Sequence, residues 1–200
     1  MARTIAKDYE VKRQAILSTA ASFFAKNGFD RSSMTKLAEA CGVSKALIYH
    51  YYDSKDALLY DIVHTHLTDL LEVVQGVDLD APDKRANLHA LTRAILLAYR
   101  GSDEQHQVQA VAMAALPKAE RDVLADLQKQ MVALVSRALQ EAAPTYFKAN
   151  PNRLTPVTMS LFAMLNWFYM WHRPGKGTSR EDYADLVADL VLNGISAEIT

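Results

Sequence analysis

One stretch, Ser33 to Tyr52, constrains the fold of this chain more than any other. It reads as two short helices that meet at Gly42. Ser33 can cap the first helix, because its hydroxyl can accept a backbone N–H that the opening turn leaves unpaired. Gly42 tolerates the left-handed conformation that ends this helix, and Ser44 can cap the second. The layout is that of a helix-turn-helix, in which a second helix enters the major groove of DNA.

The second helix carries small and polar side chains at positions that can face outward. Direct reading of bases needs short or flexible donors near the start of such a helix. Lys45 can reach a guanine edge or a phosphate, while Ala46 and Leu47 can approach a thymine methyl group. Tyr49 and His50 are expected to hold phosphates. Each of these side chains can also be an ordinary solvated surface residue.

Length and composition indicate a globular chain with a sizeable core. Of 200 residues, 50% are hydrophobic, which is enough for one medium domain or two small ones. The N-terminus carries charges where a signal peptide needs an apolar run. The most apolar stretch, Met159 to Trp171, is interrupted by Ser160 and Asn166. We therefore expect a cytoplasmic protein that does not enter a membrane.

Charge is unevenly distributed along the chain, although the formal net charge is only −1. Residues 1–56 hold nine Lys or Arg against six Asp or Glu, while residues 57–200 hold thirteen against seventeen. The positive end coincides with the helix-turn-helix, so attraction to phosphates would be local to it. The lone cysteine, Cys41, is expected in the core, with a redox-sensing thiol as the alternative.

The residues around the helix-turn-helix continue the helical pattern. Residues 1–8 look like a short arm in which Arg3 and Lys7 are available to phosphates, or like a disordered tail. Apolar spacing predicts a helix from Tyr9 to Lys26. Ser54 can cap a further helix that runs to about Gln75, and Thr35 is an expected phosphate contact.

Spaced positions in the first 60 residues resemble one known family. They are Ile16-Leu17-x-x-Ala20-x-x-x-Phe24-x-x-x-Gly28-Phe29, Ser33-Met34-x-x-Leu37-Ala38-x-x-Cys41-Gly42-Val43-Ser44 and Leu47-Ile48-Tyr49-x-Tyr51-Tyr52-x-Ser54-Lys55-x-x-Leu58-Leu59. This pattern resembles the N-terminal domain of the TetR family of transcriptional regulators. The resemblance implies that Lys55 matches the position of a family lysine that holds a phosphate.

The resemblance also implies the architecture and the partners. It implies an all-α homodimer with a helix-turn-helix DNA-binding domain at 1–56 and a larger helical domain at 57–200 for ligand binding and dimerisation. The implied partners are a palindromic double-stranded DNA operator and a small-molecule effector. The candidate DNA-contacting residues are Ser33, Thr35, Ser44, Lys45, Ala46, Leu47, Tyr49, His50 and Lys55.

Apolar periodicity predicts more helices beyond Gly76, over 82–100, 103–115, 117–143 and 158–171, and from Ser179 onward. Three prolines in the loop from Ala143 to Pro156 argue against regular structure there. The 158–171 helix has almost no polar face, and a helix that is apolar all round is buried all round. We therefore expect a twofold interface between subunits made by the last two helices. A monomer with a deep central helix is the alternative.

The C-terminal segment has a looser resemblance to TetR-type repressors that respond to acyl-CoA thioesters of fatty, steroid or phenylacetyl type. It rests on Asn166-Trp167-x-x-x-Trp171-x-Arg173-Pro174-Gly175 and on residues 185–194. An apolar pocket would suit the acyl chain, and Arg173 or Lys176 would suit phosphates. The candidate ligand-binding residues are Met113, Met131, Phe162, Asn166, Trp167, Met170 and Arg173.

Motifs for catalysis, metal binding and cofactor binding are not found in the sequence. His64 and His66 are two apart on a helix and so point to different sides, and the chain has no Gly-rich phosphate loop or nucleophile elbow. We expect no enzyme activity, no cofactor and no metal. The alternative to a ligand-released repressor is a helical small-molecule-binding or enzymatic protein whose helix-turn-helix serves only packing. Outward-facing Lys45, Tyr49, His50 and Lys55 favour the repressor, because packing alone does not require them.

Overall fold

The computed structural model describes residues 2–173 and 175–196 and confirms an all-α fold. Apart from an isolated bridge between Arg173 and Lys176, regular structure in the described residues is helical. The α-helices are α1 (Ala2–Asn27), α2 (Met34–Ala40), α3 (Lys45–Tyr51), α4 (Lys55–Gln75), α5 (Lys84–Ala98), α6 (Asp103–Ala115), α7 (Lys118–Ala142), α8 (Pro144–Ala149), α9 (Leu154–Asn166), α10 (Phe168–Trp171) and α11 (Arg180–Ser196). A 3-10 turn at Pro151–Arg153 links α8 to α9.

The described residues divide into two compact units. The first comprises 1–67 and 101–125, and the second comprises 68–100 and 126–200. Both α4 and α7 begin in the first unit and end in the second. The expected division into a DNA-binding domain at 1–56 and a larger domain at 57–200 stays a prediction.

The first unit is built on the apolar stripe of α1. Ile16, Leu17, Ala20 and Phe24 are buried at the spacing that brings them to one face of the helix. α1 packs against both α2 and α6. The stripe of α1 therefore packs against a later helix of the chain, α6, as well as against α2.

The second unit is organised around α11, which packs against α5 and α9. Its inward face consists of Ala184, Val187, Ala188, Val191, Leu192 and Ile195, all buried. At the rim, Arg93 of α5 forms an ion pair with Asp185 of α11, and Arg100 pairs with Glu181 at 2.8 Å. Solvent-exposed pairs of this kind contribute little to stability, so the buried inward face of α11 carries most of the packing energy.

The structure corrects the prediction for the first residues of the chain. The expected arm at 1–8 is wrong, because α1 is helical from Ala2 and no helix-breaking residue precedes Asn27-Gly28. The side chains of Arg3 and Lys7 lie outside the described residues.

The stretch from Ala143 to Pro156 is also more regular than predicted. Pro144 opens α8, and Pro151 opens the 3-10 turn. Proline is tolerated in the first turn of a helix because the N–H that it lacks has no partner there. The following helix, predicted over 158–171, begins at Leu154 and is interrupted at Trp167. Pro174, which belongs to the C-terminal segment with the looser resemblance, lies outside the described residues.

Cys41 lies at the C-terminal end of α2 and is half-buried rather than in the core. Burial raises the pKa of its thiol, which lowers the thiolate fraction available for oxidation. In the part of the chain that the structure describes, no helix has both the length and the apolar character needed to cross a bilayer.

Candidate nucleic-acid interface

The turn between α2 and α3 is fixed by local hydrogen bonds that the sequence predicts. Ser33 accepts a hydrogen bond from Lys36 N at 3.3 Å, and Ser44 accepts one from Leu47 N at 3.1 Å. Gly42 adopts a φ of 64°, a conformation that favours glycine. Its N–H donates to Glu39 O, and Val43 N donates to Ala38 O at 3.0 Å. These two bonds form a Schellman motif, which ends α2 and starts the turn.

α3 has one side toward the core and one side toward solvent. Ile48 is its fully buried residue, and Leu47 is half-buried. Four exposed residues form what we call the reading face, namely Lys45, Ala46, Tyr49 and His50. The Lys45 ammonium lies 5.9 Å from the centroid of the Tyr49 ring. The reading face therefore offers a cation, two rings with polar atoms and one methyl group on a single turn and a half of helix.

Three further candidate DNA-contacting residues have intramolecular roles. The hydroxyls of Ser33 and Ser44 are engaged as helix caps. Lys55 donates from Nζ to Phe29 O at 3.2 Å, and its Nζ lies 4.3 Å from the centroid of the Phe29 ring. An ammonium has three hydrogens, so this bond leaves Lys55 able to bind a phosphate as well. Thr35 is exposed in the first turn of α2.

The candidate ligand-binding residues are dispersed over different environments. Met131 and Phe162 are buried, and Asn166 is half-buried and accepts a hydrogen bond from the Tyr99 hydroxyl at 2.9 Å. Met113 is half-buried in the first unit. The remaining three, Trp167, Met170 and Arg173, are exposed. Among the described residues, no three His, Cys, Asp or Glu side chains come together as metal ligands.

A buried histidine and its half-buried histidine neighbour were missed by the sequence analysis. His66 of α4 is 8% exposed, and its ring centroid lies 6.2 Å from that of His106 of α6. Burial and the nearby His106 lower the pKa of His66 to about 4. Burial also lowers the pKa of His106, against the opposing charge of Asp103. A signal for His66 was present, because it lies four residues from Ile62 and so on the apolar stripe of α4.

A second exposed surface lies on the last helices, and its chemistry is apolar. We call it the apolar face, and its residues are Met159, Trp167, Met170, Trp171, Leu186 and Leu190, each between 47% and 60% exposed. Leu186 and Leu190 lie one turn apart on the side of α11 away from its buried stripe. Exposed large apolar side chains that cluster on a surface are typical of sites that bind another molecule.

Comparison with known proteins identifies the chain. Residues 16–62 match the family described as bacterial regulatory proteins, tetR family, and residues 81–195 match the family described as tetracyclin repressor-like, C-terminal domain. The chain belongs to the TetR family. It is thus a transcriptional repressor with a helix-turn-helix DNA-binding domain and a C-terminal domain of the ligand-binding type. Dimers are typical of the TetR family.

Individual relatives cover nearly the whole chain. The HTH-type transcriptional repressor KstR2 of Rhodococcus jostii (strain RHA1) is 24% identical over 192 residues, which cover 93% of this chain and 92% of that protein. The structure of a TetR-family transcriptional regulator from Bordetella parapertussis 12822 has a TM-score of 0.83 at 32% identity, covering 90% and 94% of the two chains. AibR in complex with isovaleryl coenzyme A and operator DNA has a TM-score of 0.75 at 26% identity, covering 90% and 97%.

Proposed function

We propose that this TetR-family protein represses transcription as a homodimer on an inverted-repeat operator and is released by a small-molecule effector. The reading face carries the proposal. Lys45, Tyr49 and His50 project from α3 into solvent while Ile48 anchors the helix from behind. Packing alone does not require this arrangement, whereas contact with a major groove does.

The exposed residues suggest separate roles on the duplex. Lys45 reads a guanine edge, and Ala46 contacts a thymine methyl group, with half-buried Leu47 behind it. Tyr49 and His50 bind phosphates. Thr35 and Lys55 bind phosphates on either side of the groove, which fixes the position of α3 without reading sequence. Ser33 and Ser44 contribute by capping α2 and α3.

The apolar face is proposed as the homodimer interface. Its two tryptophans and two methionines resemble the core of a subunit interface, where aromatic side chains and methionine are enriched. In a twofold dimer the same surface on each subunit covers the other. Trp167 and Met170, predicted as ligand contacts, are assigned to this interface on account of their exposure.

For the effector we propose an acyl-CoA thioester. AibR, whose structure includes isovaleryl coenzyme A, supports this class at 26% identity. Met131, Phe162 and Asn166 of the second unit supply apolar surface and an amide for the acyl group. Arg173 and Lys176, both exposed, supply cations for the phosphates of the nucleotide.

Effector binding is proposed to act through the spacing of the two copies of α3. Operator binding needs the two recognition helices about 34–36 Å apart, one turn of DNA. α4 begins in the unit that holds α3 and ends in the other unit, so it is the proposed lever. A typical coupling free energy of about 1–3 kcal/mol would lower operator affinity by about 5- to 150-fold.

DNA selection tests the proposed function. Wild-type protein is used to enrich duplexes from a random-sequence library, and fluorescence anisotropy then compares the enriched duplex with a scrambled duplex of the same composition. We expect an enriched inverted repeat that binds about 1,000-fold more tightly than the scrambled duplex. Failure to enrich any sequence would contradict a repressor and favour a helix-turn-helix that serves only packing.

A panel of CoA thioesters tests the effector class. Isovaleryl-CoA, a long-chain fatty acyl-CoA, a steroid acyl-CoA and phenylacetyl-CoA are compared with free CoA. At least one thioester should raise the melting temperature and weaken binding of the enriched duplex, and free CoA should do neither. If every thioester behaves like free CoA, the effector belongs to another class.

A further inference from the structure

One carboxylate, that of Asp61, joins three helices of the first unit. Arg13 of α1 donates from Nη2 to Asp61 Oδ1 at 2.7 Å and from Nε to Oδ2 at 3.1 Å, a bidentate pair. The Tyr52 hydroxyl donates to the same Oδ2 at 2.6 Å. Thr65, one turn further along α4, accepts from Arg13 Nη2 at 3.2 Å. We call these four residues, Arg13, Tyr52, Asp61 and Thr65, the Asp61 cluster.

Tyr52 connects this cluster to the recognition helix. It is the residue that ends α3, and its backbone N–H donates to Ile48 O. Its side chain is 7% exposed and reaches α4 through the hydroxyl. The same residue thus closes the last turn of α3 and ties that turn to Asp61.

The cluster supplies a constraint that apolar packing of α3 lacks. Ile48 is the fully buried side chain within α3, while Leu47 is half-buried and the Tyr51 ring stacks on the Tyr9 ring with centroids 4.6 Å apart. Apolar contacts of this kind are non-directional, so they set the depth of a helix more closely than its rotation. A second, directional contact is needed to set rotation. The Tyr52 hydrogen bond is directional and charge-assisted, a type roughly twice as strong as a neutral hydrogen bond.

The protonation states in the Asp61 cluster maintain its hydrogen bonds. Burial alone lowers the pKa of Arg13, but the hydrogen bond and charge of Asp61 outweigh it and raise that pKa overall. Burial and Asp61 together raise the pKa of Tyr52, so its hydroxyl stays a donor. The Arg13 and Asp61 side chains are each 22% exposed, which limits screening by salt.

Resting on the proposed DNA-binding function, we propose that Tyr52 and Asp61 are positioning residues that set the rotation of α3 for reading bases, with Arg13 holding Asp61 in place. Neither belongs to the reading face. Base contacts need the reading face to be aligned, whereas contacts to phosphates tolerate a small rotation. Loss of the Tyr52 hydrogen bond should therefore reduce sequence discrimination more than it reduces overall attraction to DNA.

The variant Tyr52→Phe tests this, because it removes only the hydroxyl. Anisotropy is measured with the enriched duplex and its scrambled counterpart at a temperature well below the melting temperature of each variant. We expect about a 10-fold weaker affinity for the enriched duplex and less than about a twofold change for the scrambled one. Arg13→Lys keeps the charge but cannot form the bidentate pair. It should shift the ratio of the two affinities in the same direction as Tyr52→Phe, but by less.

Tyr146→Phe is the matched control. Tyr146 is 4% exposed in the second unit, and its hydroxyl accepts a hydrogen bond from Arg153 at 3.0 Å. The Tyr146→Phe variant should change the melting temperature about as much as Tyr52→Phe does, and it should leave the ratio of the two affinities as in wild type. The proposal is overturned if Tyr52→Phe keeps the wild-type ratio of the two affinities, whether both affinities are unchanged or both fall by the same factor. Failure of the wild type to enrich any duplex would instead overturn the proposed function itself.

Discussion

The reading face of α3 and the apolar face of α9, α10 and α11 are both exposed in the single chain, yet they differ in chemistry. The first presents an ammonium, a phenol and an imidazole on one short helix. The second presents two tryptophans, two methionines and two leucines over three helices. Polar donors that stay solvated in the free protein can exchange water for phosphates and base edges. Apolar rings gain most when another apolar surface removes them from water.

The two faces are therefore proposed to bind different partners. The reading face suits DNA, and the apolar face suits a second copy of the chain. The two interactions also have an order of dependence, because DNA binding by two recognition helices requires the dimer, whereas the dimer does not require DNA. Changes on the apolar face should thus have larger effects on operator binding than changes on the reading face.

The largest expected effect comes from a charge on the apolar face. Leu190→Glu places a carboxylate on the exposed side of α11, where a dimer would bury it without a partner. We expect a monomer by light scattering at micromolar concentration. Affinity for the enriched duplex should fall by about 100- to 10,000-fold, because the two recognition helices are no longer linked.

Val123→Glu is the matched control for this substitution. Val123 is 44% exposed on α7, in the first unit. It introduces the same charge outside the apolar face and should leave a dimer with wild-type affinity. A Leu190→Glu protein that remains dimeric would show that the dimer forms elsewhere.

Acid should lower the free energy of unfolding of the first unit, which carries the reading face. The pKa of His66 is about 4 in the folded protein and 6.5, the ordinary value for histidine, in the unfolded chain. Between these two pH values the unfolded chain therefore binds more protons than the folded protein. Stability therefore falls as the pH drops from about 6.5 to 4, by about 3 kcal/mol in total for this group. His66→Leu should remove most of that loss, measured by urea unfolding at pH 7.5, 6 and 5.

His64→Leu serves as its control, since His64 lies on the same helix with a half-exposed ring. This variant should keep the acid sensitivity of wild type. An equal response of both variants to pH would mean that His66 is not the source of the acid-dependent loss.

Single changes on the reading face should have moderate effects on binding and little on assembly. Tyr49→Ala should weaken binding of the enriched and scrambled duplexes together, because it removes a proposed phosphate contact. Lys45→Ala should also relax base preference, at about 1–3 kcal/mol per lost contact. Anisotropy with both duplexes separates the two cases, and unchanged isotherms for both variants would contradict the assignment of this face to DNA.

The smallest effect is expected from removing a helix cap next to the reading face. Ser44→Ala loses the hydrogen bond that its hydroxyl accepts from Leu47 N at 3.1 Å. The free energy of unfolding should fall by about 1 kcal/mol, and the melting temperature by about 2–4 °C. Ser44→Asp restores an acceptor and should recover the stability, as thermal unfolding can show. A larger loss of DNA binding than of stability would point to a direct contact between Ser44 and the duplex.

Local signals in the sequence explain which parts of the fold could be predicted. Ser33, Gly42 and Ser44 act on residues within a few positions of themselves, so the helix-turn-helix follows from the sequence alone. Pro144 and Pro151 misled the prediction because a proline can begin a helix as well as prevent one.

Contacts between distant residues account for what the sequence did not reveal. Asp61 meets Arg13 across 48 positions, and His66 faces His106 on another helix. Nothing in the spacing of these residues specifies such a meeting. The spacing of apolar residues predicted a helix from Ser179 onward, but the division of α11 into a buried side and an exposed side with Leu186 and Leu190 required the packing of α5 and α9.

Two copies of the chain, joined at the apolar face, are proposed to place two reading faces on one duplex. Native mass spectrometry of the enriched duplex with wild-type protein, combined with hydroxyl-radical footprinting, can decide this. We expect chains bound in pairs and two protected half-sites centred about 10 base pairs, or a multiple of that turn, apart. One chain per duplex, with a single protected patch, would contradict it.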